Sequence, residues 1–268
     1  MVDTVIIKFG GGLITDKSNL CTPNLDVISR LTKSVSQLFD ENYHVIIVHG
    51  AGSYGHLKSK NWHLNSGFVN DFVPDYDDGI CNQEEAVNSV RNDMLQLNNL
   101  IMESLQKHGV KSISFPPHEW AIGSGENFEG DLSQFDNPEI VTVTYGDVVD
   151  TNNMQRFTIL SGDDICYRLA IELKAQHMIF AMGGAPGLMT APPNHPDSNL
   201  IPIWTPDTEY IGTHTSSIDV TGGIKLKLDR ASKISKVTSN VWIIDGEHEY
   251  RLIEAIKTLK TTGTKIKS

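Results

Sequence analysis

Three cysteines stand in 268 residues, at Cys21, Cys81 and Cys166, and no two of them form a CxxC pair. An odd, scattered set gives no disulfide framework and points to a reducing compartment. Positive charge is also scarce: 22 Lys and Arg face 33 Asp and Glu, for a net charge of -11. That balance argues against general nucleic-acid binding, and a phosphate-binding role would require the few lysines to be gathered locally. No apolar run approaches the roughly 18 residues that span a bilayer. Lys8 and the glycines after it cut short the first apolar segment, so no signal-peptide core is seen and the cytoplasm is expected. His49, His56 and His63 lack metal-ligand spacing, and no metal site is expected. Internal repeats, low-complexity tracts and obvious linkers are missing too.

What is present is an alternation of strand and helix patterns. Strands are expected at 4–9, 44–48, 110–115, 140–144, 157–160, 177–182 and 240–244, with a short last one after Gly263-Thr264. Helices are expected at 24–41, 83–108, 165–176, 224–237 and 249–259, and Ser53 is a further helix start. The longest carries Val87, Val90, Met94, Leu97, Ile101 and Leu105 at three- and four-residue steps. Such a stripe is ordinary core, or the wall of an apolar pocket. Residues 123–137 read as a loop, and 185–217, with six prolines, as an irregular excursion. The alternation predicts an α/β fold, a three-layer αβα sandwich with a mainly parallel central sheet. Ligands of such sheets sit beyond the carboxyl ends of the strands.

Two strand ends carry bare backbone. The first runs into Lys8-Phe9-Gly10-Gly11-Gly12, and the second into Gly50-Ala51-Gly52-Ser53-Tyr54-Gly55-His56. Glycines let amides approach phosphate oxygens, and the amides of a helix start attract an anion. Either turn alone is equally a structural device. Two together suit a molecule with phosphates at both ends, and hence phosphoryl transfer from a nucleotide to a small phosphorylated acceptor. Gly11, Asp16, Lys17 and Ser18 stand where a P-loop would place its residues, but Asp16 replaces the second glycine, so a Walker A motif is excluded. Lys17 remains either a solvated loop lysine or a second cation over phosphates. His56 is a surface or core histidine, or a donor to an acceptor phosphate. In Ser161-Gly162-Asp163-Asp164 an aspartate either caps the helix or holds cationic lysines. Thr221-Gly222-Gly223-Ile224-Lys225-Leu226-Lys227 puts lysines in a first helical turn, against the helix dipole, which predicts an anion nearby.

These pieces together resemble the amino acid kinase superfamily, and within it the isopentenyl phosphate kinase branch and its fosfomycin kinase relatives. The resemblance runs through "ITDK" around Lys17, "GAGSYGH" at 50–56, "GDVV" at 146–149, "LSGDD" at 160–164, "DVTGGIKLK" at 219–227 and Gly263-Thr264. It implies one kinase domain over 1–268, with an acceptor-binding lobe at about 1–160 and a nucleotide-binding lobe at about 161–268. It further implies that Lys8, Gly10, Gly11, Gly12, Gly52, Gly184, Gly223 and Lys227 bind ATP. Ala51, His56 and Gly162 would bind the acceptor. Lys17 would stabilise the transferring group, and Asp163 would organise the lysines. The implied cofactors are ATP and Mg²⁺, the substrate isopentenyl phosphate or a similar alkyl phosphate, and the assembly a homodimer. A fosfomycin-type kinase and a non-catalytic nucleotide or prenyl-phosphate sensor are the alternatives. One departure is visible: Met182-Gly183-Gly184-Ala185-Pro186-Gly187 places Gly184 where the family carries an aspartate.

Overall fold

The computed structural model describes residues 2–16, 19–208 and 223–268. Ten strands are seen among them: β1 (Thr4–Phe9), β2 (His44–His49), β3 (Ser112–Ser114), β4 (Val141–Tyr145), β5 (Asp147–Asp150), β6 (Phe157–Leu160), β7 (His177–Met182), β8 (Ile203–Trp204), β9 (Asn240–Asp245) and β10 (Gly263–Ile266). The helices are α1 (Gly11–Ile14), α2 (Leu25–Asp40), α3 (His56–Asn61), α4 (Gln83–Lys107), α5 (Pro117–Trp120), α6 (Gly162–Glu172), α7 (Gly223–Ser235) and α8 (Tyr250–Lys257). Eight strands form one sheet in the order β3-β4-β2-β1-β7-β9-β10-β8. The first six run parallel, and β10 is antiparallel to β9.

Alternation along the strands divides the core in two. Val5, Ile7 and Phe9 of β1 face the layer that contains α2, α4 and α8. Ile6 faces the opposite layer, with α6 and α7. Apolar residues on both faces are what a sheet covered by helices on both sides requires. The expected three-layer αβα sandwich is therefore the observed fold. Chain order reverses direction across the sheet between β1 and β7, and that switch point opens a crevice at the carboxyl ends of the strands.

Several boundaries differ from the sequence reading, each for a local reason. The third strand starts at Ser112, not at residue 110, because the Val110 amide is used by the preceding helix: it donates to the Leu105 carbonyl, while Gly109 (φ +75°) donates to Gln106. This pair of bonds is a Schellman closure with glycine in the left-handed position. The helix expected from Ile165 begins at Gly162, because the Ser161 side chain accepts the Asp163 amide and caps it there. "GDVV" and residues 157–160 pair as an antiparallel hairpin, β5–β6, separate from the main sheet. The proline-rich excursion is not wholly irregular: β8 joins the edge of the sheet against β10. Its residues 209–217 lie outside the described residues.

A side chain added at Gly109 would meet open space, so Gly109→Ala isolates the backbone cost of the left-handed turn. We expect a loss of about 1–2 kcal/mol in urea unfolding; an unchanged midpoint would show that the closure contributes nothing to α4.

Candidate active site

Four parallel strands end on glycines whose amides continue the sheet by one more bond. Gly10 donates to Ala181, Gly50 to Phe9, Gly146 to His49 and Gly246 to Met182, at 2.8–3.1 Å. The strand tips are thereby held side by side. The two glycine turns then touch each other: a Cβ on Gly11 would collide with the Gly52 backbone, and one on Gly52 (φ +51°) with the Thr15 hydroxyl. Thr15 staples the turns, its Oγ1 donating to the Gly11 carbonyl (2.8 Å) and accepting the Ser53 amide (2.9 Å).

The cleft above these tips has a volume of about 370 Å³. Of the residues predicted from sequence, Lys8, Gly10, Gly11, Gly12, Ala51, His56, Gly162, Asp163, Gly223 and Lys227 all line it. Gly52 does not; it is buried beneath the turn, packed against Gly11 and Thr15. Gly184 lies one residue beyond the wall, which ends at Met182 and Gly183, and its amide donates to Glu247 Oε1 at 3.2 Å. Lys17 falls outside the described residues, as do residues 219–222 of the "DVTGGIKLK" segment.

At the floor, Asp163 Oδ1 receives two lysines, Lys8 Nζ at 2.5 Å and Lys227 Nζ at 2.8 Å. Lys8 comes from β1, Lys227 from the second turn of α7, and Asp163 from the first turn of α6. All three are shielded from solvent. Burial alone would raise the Asp163 pKa, but Lys227 and Lys8 outweigh it and hold the carboxylate down at about 2. Burial works against Lys8 as well, yet Asp163 beside it keeps its pKa above the ordinary value. For Lys227 burial wins, and its pKa falls to about 8. Two cations against one anion leave the floor positive, inside a protein of net charge -11. This answers two questions left open by the sequence. Ser161, not an aspartate, caps α6, and the anion that the α7 lysines imply is Asp163 for Lys227. Behind the floor, Asp164 binds Arg230 Nε at 2.6 Å and so ties α6 to α7.

Part of the cleft lining is apolar. Val90 and Met94 of α4, Val148 of β5 and Ile159 and Leu160 of β6 form its wall. The whole α4 stripe is core, and Val90 and Met94 within it also line the cleft. Val148 stands in the "GDVV" segment and Ile159 in an expected strand, but neither reads as cleft wall, since nothing in two short apolar runs reveals that they pair as a separate hairpin that lines the cleft. Asp147, at the hairpin base, is fully buried on His118 Nδ1 at 2.7 Å, and burial raises its pKa. Among the described residues no cluster of three or more His, Cys, Asp or Glu suits a metal ion.

The floor has the charge and the bare backbone to hold a polyphosphate, and the apolar wall lies within the same cleft. Comparison with known proteins agrees with that arrangement. The family model described as "Amino acid kinase family" matches residues 3–245. The chain is 29% identical to the isopentenyl phosphate kinase of Thermoplasma acidophilum over 92% of its length and 94% of that protein. It is 27% identical to the isopentenyl phosphate kinase of Methanocaldococcus jannaschii, over 85% and 86% of the two chains. A crystal structure of the T. acidophilum isopentenyl phosphate kinase product complex superposes with a TM-score of 0.78 at 25% identity, covering 98% of this chain and all of that one.

The charge on Lys227 should be lost as pH rises through about 8, because a lowered lysine pKa brings deprotonation forward. Calorimetric affinity for inorganic tripolyphosphate is expected to fall about tenfold between pH 7 and pH 9.5. Lys227→Arg, which cannot deprotonate, should remove that fall; a fall of the same size in the variant would assign it to another group.

Proposed function

The chain belongs to the amino acid kinase family, and we propose that it phosphorylates isopentenyl phosphate, with ATP as donor, to give isopentenyl diphosphate. One observation carries this reading: a positive, glycine-lined floor and an apolar wall of Val90, Met94, Val148, Ile159 and Leu160 share a single cleft. A short prenyl tail fits such a wall, whereas a small polar phosphonate such as fosfomycin would leave it uncovered.

In this reading residues up to about 160 serve the acceptor and residues from about 161 the nucleotide. Lys8, Gly10, Gly11, Gly12, Gly223 and Lys227 hold the ATP phosphates. Gly52 shapes the cradle from beneath, and Gly184 stands at the nucleotide end. Ala51, through its amide, His56 and Gly162 hold the acceptor phosphate. The attacking atom is an oxygen of that phosphate, ionised at neutral pH, so no general base is assigned. Catalysis then consists of in-line placement and charge stabilisation. Asp163 keeps Lys8 and Lys227 at fixed positions, and Lys17 adds charge to the transferring group. Mg²⁺ would enter with the nucleotide phosphates and supply further positive charge to them; among the described residues no carboxylate cluster would hold it by itself. No described helix is long and apolar enough to cross a membrane, and we place the enzyme in the cytoplasm as a homodimer.

Purified protein with ATP, Mg²⁺ and, separately, isopentenyl phosphate, dimethylallyl phosphate and fosfomycin tests the assignment through ADP release. Turnover confined to the prenyl phosphates is expected; turnover with fosfomycin alone would move the protein to that branch, and silence with all three would contradict a kinase of this class. Met94→Trp fills the apolar part of the cleft beside Gly55 and should lower kcat/KM for isopentenyl phosphate by at least about tenfold, a result that an acceptor lying elsewhere would not give. His56→Ala should raise KM for the acceptor by about tenfold and leave KM for ATP near its original value; the reverse pattern would put His56 on the nucleotide.

A further inference from the structure

A buried imidazole stands directly behind the acceptor end of the cleft, and the reaction as described gives it no task. His49 is the last residue of β2 and has no exposed surface. Its ring stacks on Tyr145, the last residue of β4, with centroids 4.7 Å apart and planes 30° apart. Its own carbonyl accepts the Gly146 amide at 3.1 Å, so the backbone beneath the ring is fixed. His49 Nδ1 lies 3.2 Å from the carbonyl oxygen of Gly50.

An oxygen can only accept, so Nδ1 must carry the proton. The opposite tautomer would set a nitrogen lone pair against an oxygen lone pair. In the Nδ1–H form Nε2 is the acceptor atom of a buried ring that has the Asn98 side chain beside it. Burial also holds the ring neutral, with a pKa near 4.

The consequence lies in the next peptide unit. The chain contains no cis peptide among the described residues, so the Gly50–Ala51 unit is planar and trans, and its carbonyl and amide point in opposite directions. The Gly50 oxygen is drawn toward the buried ring. The Ala51 N–H is therefore turned away from the ring, on the side of the cleft that Gly50 and Ala51 line. Gly50 has no side chain to hold this plane, and glycine rotates more freely than any other residue. We propose that His49 is a positioning residue whose Nδ1–H fixes the Gly50 carbonyl and so aims the Ala51 amide at the phosphate of the acceptor. This rests on the reading that the acceptor phosphate lies at Ala51.

His49→Phe keeps a ring on Tyr145 and removes the donor, while His49→Asn returns a donor at the δ position. In steady-state kinetics, His49→Phe should raise KM for isopentenyl phosphate by about tenfold, the size of one lost hydrogen bond, with KM for ATP within about twofold. His49→Asn should recover most of that loss. A purely structural role would raise both constants together, and Asn, which loses the stacking, would then be the worse variant. Nitrogen NMR of the wild-type imidazole gives a check that needs no variant: protonation at Nδ1 is expected, and protonation at Nε2 would overturn the proposal. Wild-type turnover of isopentenyl phosphate with an unchanged KM in His49→Phe would overturn this inference alone. A wild-type protein silent with isopentenyl phosphate would overturn the assigned reaction and the inference with it.

Discussion

The contact on which the site depends is the one between Asp163 and two lysines, Lys8 and Lys227, brought from opposite ends of the chain. A buried ammonium is costly, and two of them near each other are costlier still. The Asp163 carboxylate makes the arrangement tolerable without cancelling it, since one positive charge is left over. That remainder is what an acidic protein needs to hold a polyanion. It also explains why α6 and α7 pack against each other on one face of the sheet: the first turn of α6 carries the carboxylate, the second turn of α7 carries Lys227, and Arg230 on Asp164 fixes the two helices one step further back.

The sheet sets the remaining geometry. Parallel strands that end level, each prolonged by a glycine amide bonded to its neighbour, give a flat rim of backbone. The Gly11–Gly52 contact and the Thr15 staple hold the two turns closer than side chains would permit. The β5–β6 hairpin, which lies outside the main sheet, then supplies the apolar wall together with Val90 and Met94. Polar floor and apolar wall thus come from different parts of the architecture. Floor residues are held by main-chain bonds and one ion-pair cluster. Wall residues are held by packing, so their size is freer to vary with the substrate.

Much of this was legible in the sequence because it rests on local patterns. Glycines after apolar runs gave the strand tips, and the three- and four-residue stripe gave α4 almost to the residue. Lysines in the first turns of a helix pointed to a nearby anion. Other features rest on pairings between distant segments. That Asp163, Lys8 and Lys227 converge on one oxygen follows only from the strand order. That Gly52 serves packing follows from a contact with Thr15, thirty-seven positions away in the chain. The expected start of the third strand failed at Val110 because a helix closure claimed its amide, a competition between two local structures that periodicity does not resolve. The hairpin wall stayed hidden because four-residue runs carry no mark of which sheet they will join.

Asp163→Asn tests the central claim most directly, since it keeps the shape of the side chain and removes the charge that gathers the two lysines. With folding verified by circular dichroism, turnover of isopentenyl phosphate should fall by at least about a hundredfold, because the two cations lose the group that holds them and are left to repel each other. Turnover within a few-fold of the wild type, in a variant folded to the same extent, would show that the carboxylate is not what organises the site.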